Sequence, residues 1–145
     1  MQASCVVASP TRGSRLLPIA AWAGVAGAAV VVATHDPASP GNHFPGCIFH
    51  SATGLWCPGC GLTRGVHALL RLNIGASMSY NVFTPFVVIA ILAALVSWTS
   101  STLGMRCWRL QPAAQRRLVV WATVLLAVYG VLRNIPAAPF RALAP

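Results

Sequence analysis

The stretch Val82–Leu103, VFTPFVVIAILAALVSWTSSTL, contains no ionisable side chain, and the nearest charges on either side are Arg71 and Arg106. A helix of about 20 apolar residues, rising 1.5 Å per residue, crosses a hydrocarbon core of about 30 Å. The stretch therefore reads as a transmembrane helix. Pro85, with Thr84 and Asn81 just before it, fits the first helical turn, where a missing N–H costs nothing.

Two further runs lie on either side of it. Leu16–Ala33 is free of charge, preceded by Arg12 and Arg15 and followed by the breaker-rich HDPASPG of residues 35–41. A cleaved signal peptide fits less well: the run exceeds the usual signal core of about 7 to 15 residues, and no clean Ala-x-Ala site follows. Cys5 has no apolar run before it, so a lipoprotein site is not supported. The last run, Leu118–Leu132, lies between Arg117 and Arg133 and is short for a span. It crosses only if Arg133 snorkels to the interface or the bilayer thins locally.

Composition agrees with a bilayer protein. Of 145 residues 57% are hydrophobic and only 8% charged, against about 25% in a soluble domain. The net charge of +9 comes from ten arginines, with no lysine, against the lone acid Asp36. The arginines sit in small groups beside apolar runs and form no basic patch interleaved with aromatics, so a nucleic-acid surface is not expected. The absence of lysine reads as a coding bias. Counting arginines by side gives Arg12, Arg15, Arg106, Arg109, Arg116 and Arg117 against Arg64, Arg71, Arg133 and Arg141. The positive-inside rule then puts the N-terminus in the cytoplasm and the first loop outside the cell membrane.

The expected fold is an all-α membrane protein of about three transmembrane helices with a Cys-rich loop and an interfacial amphipathic helix. The expected order is an N-terminal tail 1–15, span 16–34, Cys-rich loop 35–61 and amphipathic helix 62–74. It continues with span 82–103, basic loop 104–117, span 118–135 and tail 136–145.

The loop carries the chemistry. Cys47 and His50 form a C-x-x-H pair, and Cys57 and Cys60 a C-x-x-C pair. A two-residue spacer lets both side chains of a pair face one ion, so the four could bind Zn²⁺ tetrahedrally, with His43 able to replace His50. The same sulfurs support a redox reading. Leu62–Leu72 is amphipathic, with Leu62, Val66, Leu69 and Leu70 on one face and Arg64, His67 and Arg71 on the other. Cys57 and Cys60 would stand at its N-terminus near Arg64, where a thiolate is stabilised, and could exchange disulfides with Cys57 attacking and Cys60 resolving. A static disulfide is the third alternative. An external loop favours disulfides and a cytoplasmic one favours thiolate and metal, so the arginine count pulls against the metal set. Covalent haem is excluded, because Gly61 stands where C-x-x-C-H needs histidine. Cys5 and Cys107 fall across the membrane as spare thiols.

Asp36 and Arg133 end the first and third spans on the same side and could form an ion pair at the interface. Arg64 and Arg71 compete for that partner or meet lipid phosphate. Gly24 and Gly27, with Ala20, Ala23 and Ala28, give the first span a small-residue face suited to close helix contact or self-association. Trp22, Trp98, Trp108 and Trp121 are explained by aromatic belts and helix packing. Phosphate loops, paired carboxylates and Ser/His/Asp sets are not visible, and no span carries the internal charge a transporter would need.

Thr53–Arg71, TGLWCPGCGLTRGVHALLR, resembles a family of small bacterial membrane proteins, a domain of unknown function with a Cys-Pro-x-Cys-Gly-x-Thr-Arg core. The resemblance extends from Cys47 through Asn81 to Arg133-Asn134-Ile135-Pro136. It implies a multi-pass membrane protein and brings no established activity. This chain has Gly75-Ala76-Ser77 and Thr84-Pro85 where the family pattern leads one to expect an acid and Asn-Pro. The expected role is non-enzymatic: a membrane component whose stapled loop presents Thr63, Arg64 and Arg71 to lipid head groups or a membrane-protein partner. The alternative is a membrane thiol-disulfide oxidoreductase using the Cys57-Pro58-Gly59-Cys60 pair.

Overall fold

The computed structural model describes residues 12–42, 44–105, 111–138 and 140–143. Among them there is no strand. The elements are α1 (Arg12–Thr34), α2 (Ile48–Thr53), α3 (Leu62–Leu70), α4 (Ile74–Tyr80), α5 (Thr84–Thr102) and α6 (Pro112–Leu132), followed by a 3-10 turn at Phe140–Leu143. Cys5, His43, Arg106, Cys107, Trp108 and Arg109 lie outside the described residues.

Three helices are long and apolar enough to cross a membrane: Leu16–Thr34 within α1, α5 and α6. Their packing is that of a protein whose solvent is lipid. Ile89 is 63% and Trp121 64% exposed, whereas the largest fully buried side chains are Arg133, Asn81, Thr84 and Ser77. In water this distribution would be unfavourable, because apolar surface drives burial. In hydrocarbon it is expected, since lipid tails are as apolar as leucine and polar groups must find partners inside the protein.

Helices α1 and α5 are linked by Trp22, whose Nε1–H donates to Thr99 Oγ1 at 3.0 Å. Gly24 and Gly27 face open space, so these glycines of α1 make no close contact with the described residues. α6 stands largely apart. It is exposed from Pro112 through Val128 and is seated only at its C-terminal end. There Tyr129 meets Phe83 edge-on, with ring centroids 5.0 Å apart.

Two expectations about helix ends are corrected. The third span gains length at its start, because α6 begins at Pro112 and reaches 21 residues, roughly 30 Å. Arg133 therefore does not snorkel; it is buried. The amphipathic helix stops at Leu70 instead of continuing to residue 74. Leu72 adopts φ 60°, Leu72 N–H donates to Leu69 O at 2.9 Å, and Asn73 N–H donates to Ala68 O at 2.9 Å. These two bonds are a Schellman closure with leucine in the left-handed position. Asn73 then starts the unforeseen α4, its Oδ1 accepting the Ala76 N–H at 3.0 Å.

The tightest face of α3 is not its leucine stripe. Gly65 and Ala68 are the buried residues, and His67 turns to α1, sharing a hydrogen bond of 2.6 Å with Val32 O. A Cβ at Gly65 would fall on Thr84 Oγ1, with Thr84 Cβ and Cγ2 at 3.0 and 3.1 Å. Replacing a helical glycine by alanine ordinarily stabilises by about 0.5–1 kcal/mol. Here Thr84 is fully buried and cannot move aside. Gly65→Ala is therefore expected to destabilise by about 1–3 kcal/mol, the usual range for overpacking, measured by denaturant unfolding in detergent. A stabilised variant would show that α3 and α5 are not in this contact.

Candidate metal centre

Local geometry folds the loop back on itself. Cys47 is the extended residue before α2, and Gly54, at φ 71°, ends that helix by donating its N–H to His50 O at 2.8 Å. The left-handed conformation, which favours glycine, reverses the chain and brings Leu55–Cys57 back past Cys47. Cys57-Pro58-Gly59-Cys60 then turns tightly, with Cys60 N–H donating to Cys57 O at 3.1 Å, and α3 starts directly after Gly61.

This return places Cys47 Sγ 3.3 Å from Cys57 Sγ, and Cys57 Sγ 3.0 Å from Cys60 Sγ. All three are free thiols, and their sulfurs lie within 4.8 Å of one another. A disulfide would need about 2.05 Å. Three thiolates at about 2.3 Å from a tetrahedral ion stand about 3.8 Å apart, so the cluster reaches that geometry if each close pair opens by less than about 1 Å. With two sides near 3 Å and the third no longer than 4.8 Å, the angle at Cys57 Sγ is close to a right angle at most. A triangular face suits a shared ion.

The thiols differ in acidity. Cys47 is brought down from its usual 9.0 to about 7, chiefly by the backbone N–H of His50 and then by the Cys57 and Cys60 side chains. Burial pushes Cys60 up to about 12, with Cys57 and Cys47 adding to the rise. The buried sulfur of the C-x-x-C pair is thus the reluctant one, and the upstream cysteine ionises readily.

Beneath the sulfurs lies a layer of polar side chains that grips the backbone of Trp56–Cys60. Arg133 Nη1 donates to Cys57 O and to Cys60 O, both at 3.0 Å. Asn81 Nδ2 donates to Pro58 O at 2.8 Å and Cys60 O at 3.1 Å, while its Oδ1 accepts the Phe83 N–H at 2.9 Å. Asn134 accepts the Trp56 N–H and donates back to Trp56 O, each at 2.8 Å, pairing with the chain as a neighbouring strand would. Outer partners that hold ligating residues in place are a regular part of metal sites.

Of the four expected ligands, Cys47, Cys57 and Cys60 come together and His50 does not. The His50 ring stacks on Trp56 at 4.0 Å and 14°, and its Nδ1 lies 3.2 Å from Leu55 O. Stacking and this hydrogen bond hold the imidazole away from the sulfurs. The Asp36–Arg133 ion pair is also corrected. Asp36 Oδ1 accepts the Ala38 N–H at 2.8 Å and lies 4.0 Å from His67 Nε2, while Arg133 is committed beneath the cysteine turn. Thr63 and Arg71 are exposed and Arg64 half-buried; the Arg71 guanidinium reaches Ala33 O at 3.5 Å. Sequence reasoning missed the roles of Asn81, Asn134 and Arg133. The available signal was an Arg-Asn pair at the end of an apolar span, without an acid nearby in sequence.

Comparison with known families falls on the same residues. Residues 47–96 match the family model for a protein of unknown function, DUF2752. The match spans about a third of the chain. The matched segment begins at Cys47 and includes all three clustered cysteines, α2, α3, α4 and Asn81, and it ends within α5. Arg133 and Asn134, which complete the grip on the cysteine turn, come from outside it. Neither a curated protein nor a solved structure matches the chain.

Proposed function

We propose that this chain is a non-enzymatic, multi-pass component of the cell membrane whose juxtamembrane loop is stapled by a metal ion, zinc in the first instance, on Cys47, Cys57 and Cys60. The observation that carries this reading is the triangle of sulfurs, two on one turn and one brought back by α2, above a layer of side chains that fixes their backbone. Zinc suits thiolates, and the three cysteines would fill three of its four tetrahedral positions, leaving the fourth to a ligand from outside the cluster. Because α3 starts immediately after the cysteine turn, stapling the loop fixes that helix. Thr63, Arg64 and Arg71 are then offered to lipid head groups or to a partner membrane protein. The thiol-disulfide alternative would use the Cys57–Cys60 pair, whose sulfurs stand 3.0 Å apart as free thiols. With the N-terminus in the cytoplasm the loop faces outward, and thiol labelling from each side of intact cells tests that orientation.

Detergent-purified protein is expected to retain about one zinc per chain, measured by elemental analysis after exhaustive washing. His50→Ala should retain the same amount, because the imidazole is engaged with Trp56 and Leu55. Metal-free, folded wild-type protein would overturn the reading, and loss of metal in His50→Ala would return histidine to the ligand set.

A further inference from the structure

We infer that Arg133 is the internal counter-ion of the cysteine cluster, the fixed positive charge that lets three thiolates share a divalent ion in a polar pocket without acids. The inference rests on the metal reading above. Arg133 is 2% exposed, and a guanidinium does not shed its proton. A charge so enclosed demands an opposite one. The chain's lone acid, Asp36, has a side chain that is 54% exposed and sits beside His67. Among the described residues, what touches Arg133 is neutral: two carbonyls at 3.0 Å and the Tyr129 ring, whose centroid is 5.0 Å from Cζ. Nε and Nη2 are buried without a hydrogen-bond partner among the described residues.

Among the described residues, the groups placed to supply negative charge are the thiols of the residues whose carbonyls Arg133 already holds. Bond lengths alone keep Nη1 within roughly 8 Å of the Cys57 and Cys60 sulfurs. Three thiolates and a divalent ion sum to one negative charge, which a single guanidinium cancels. Hydrogen bonding does not explain the choice of arginine. Asn81 serves Cys60 O and Pro58 O, and Asn134 serves Trp56 O, with neutral amides. Arginine adds charge to what an amide already provides.

The test separates charge from hydrogen bonding in the full-length protein in detergent. Metal-stripped protein is titrated with Co²⁺, following the sulfur-to-cobalt charge-transfer band, and Zn²⁺ affinity is read by displacement. Arg133→Lys keeps the charge and should bind within about threefold of wild type. Arg133→Gln keeps a donor without charge and should weaken binding by about 10–100-fold, the range for outer-layer partners of metal ligands. Arg133→Gln binding like wild type, or Arg133→Lys binding as weakly as Arg133→Gln, overturns the counter-ion role while leaving the metal site standing. Should Arg133→Gln not fold, Arg133→Lys decides alone: affinity within threefold supports the role, and a tenfold loss defeats it. A wild type that gives no charge-transfer band removes the metal reading and, with it, this inference.

Discussion

Cys57→Ser is expected to empty the cluster, lowering bound metal from about one ion per chain to below about one tenth. Cys57 is the middle sulfur, in contact with both Cys47 and Cys60, so its loss breaks two of the close sulfur contacts at once. A serine hydroxyl does not ionise at neutral pH and is a poor ligand for a soft or borderline ion. The stability consequence follows from linkage. A ligand that binds only the folded state at a hundredfold excess over its dissociation constant stabilises by about 2.7 kcal/mol, and an empty variant forfeits that amount. Elemental analysis with thermal unfolding, performed with and without added zinc, checks both parts. Wild type should gain stability from zinc and Cys57→Ser should not. A variant that keeps its metal would remove Cys57 from the ligand set.

Asn81→Ala is expected to destabilise the fold by about 2–4 kcal/mol without removing a sulfur. Asn81 is 1% exposed and makes three hydrogen bonds with its side chain. Arg133 continues to hold Cys60 O in the variant, so the groups left unpaired are Pro58 O and the Phe83 N–H. Each buried orphan costs about 1–3 kcal/mol, and in a pocket enclosed by apolar helices water is a poor substitute. Denaturant unfolding of helicity in detergent measures the loss, and metal titration of the folded variant shows whether the turn still presents its sulfurs. A change below about 0.5 kcal/mol would show that Asn81 does not hold the turn.

These two residues mark the limit of what the sequence discloses. Cys57 is legible because cysteines at C-x-x-C spacing are rare and chemically specific, and Cys47 follows from its place upstream. The metal-ligand reading of His50 comes from the same spacing logic and fails on the structure, because spacing cannot register competition from Trp56, which captures the ring by stacking. Asn81 carries no local signature of its partners: it reads as a helix-start residue before Pro85. Arg133 reads as a terminal charge bound for the interface because, along the chain, it borders an apolar run. The carbonyls it holds lie more than seventy positions away.

The chain by itself determined the solvent, the number of crossings and the residue types available for chemistry. These are sums over local composition: charge-free runs of spanning length, a single acid, and cysteines at ligand spacing. Tertiary structure decided which polar groups meet. In a bilayer buried backbone groups need partners within the protein, and Asn81, Arg133 and Asn134, from two distant segments, converge on the backbone beneath the sulfurs to supply them. That convergence depends on helix packing, which sequence periodicity does not encode.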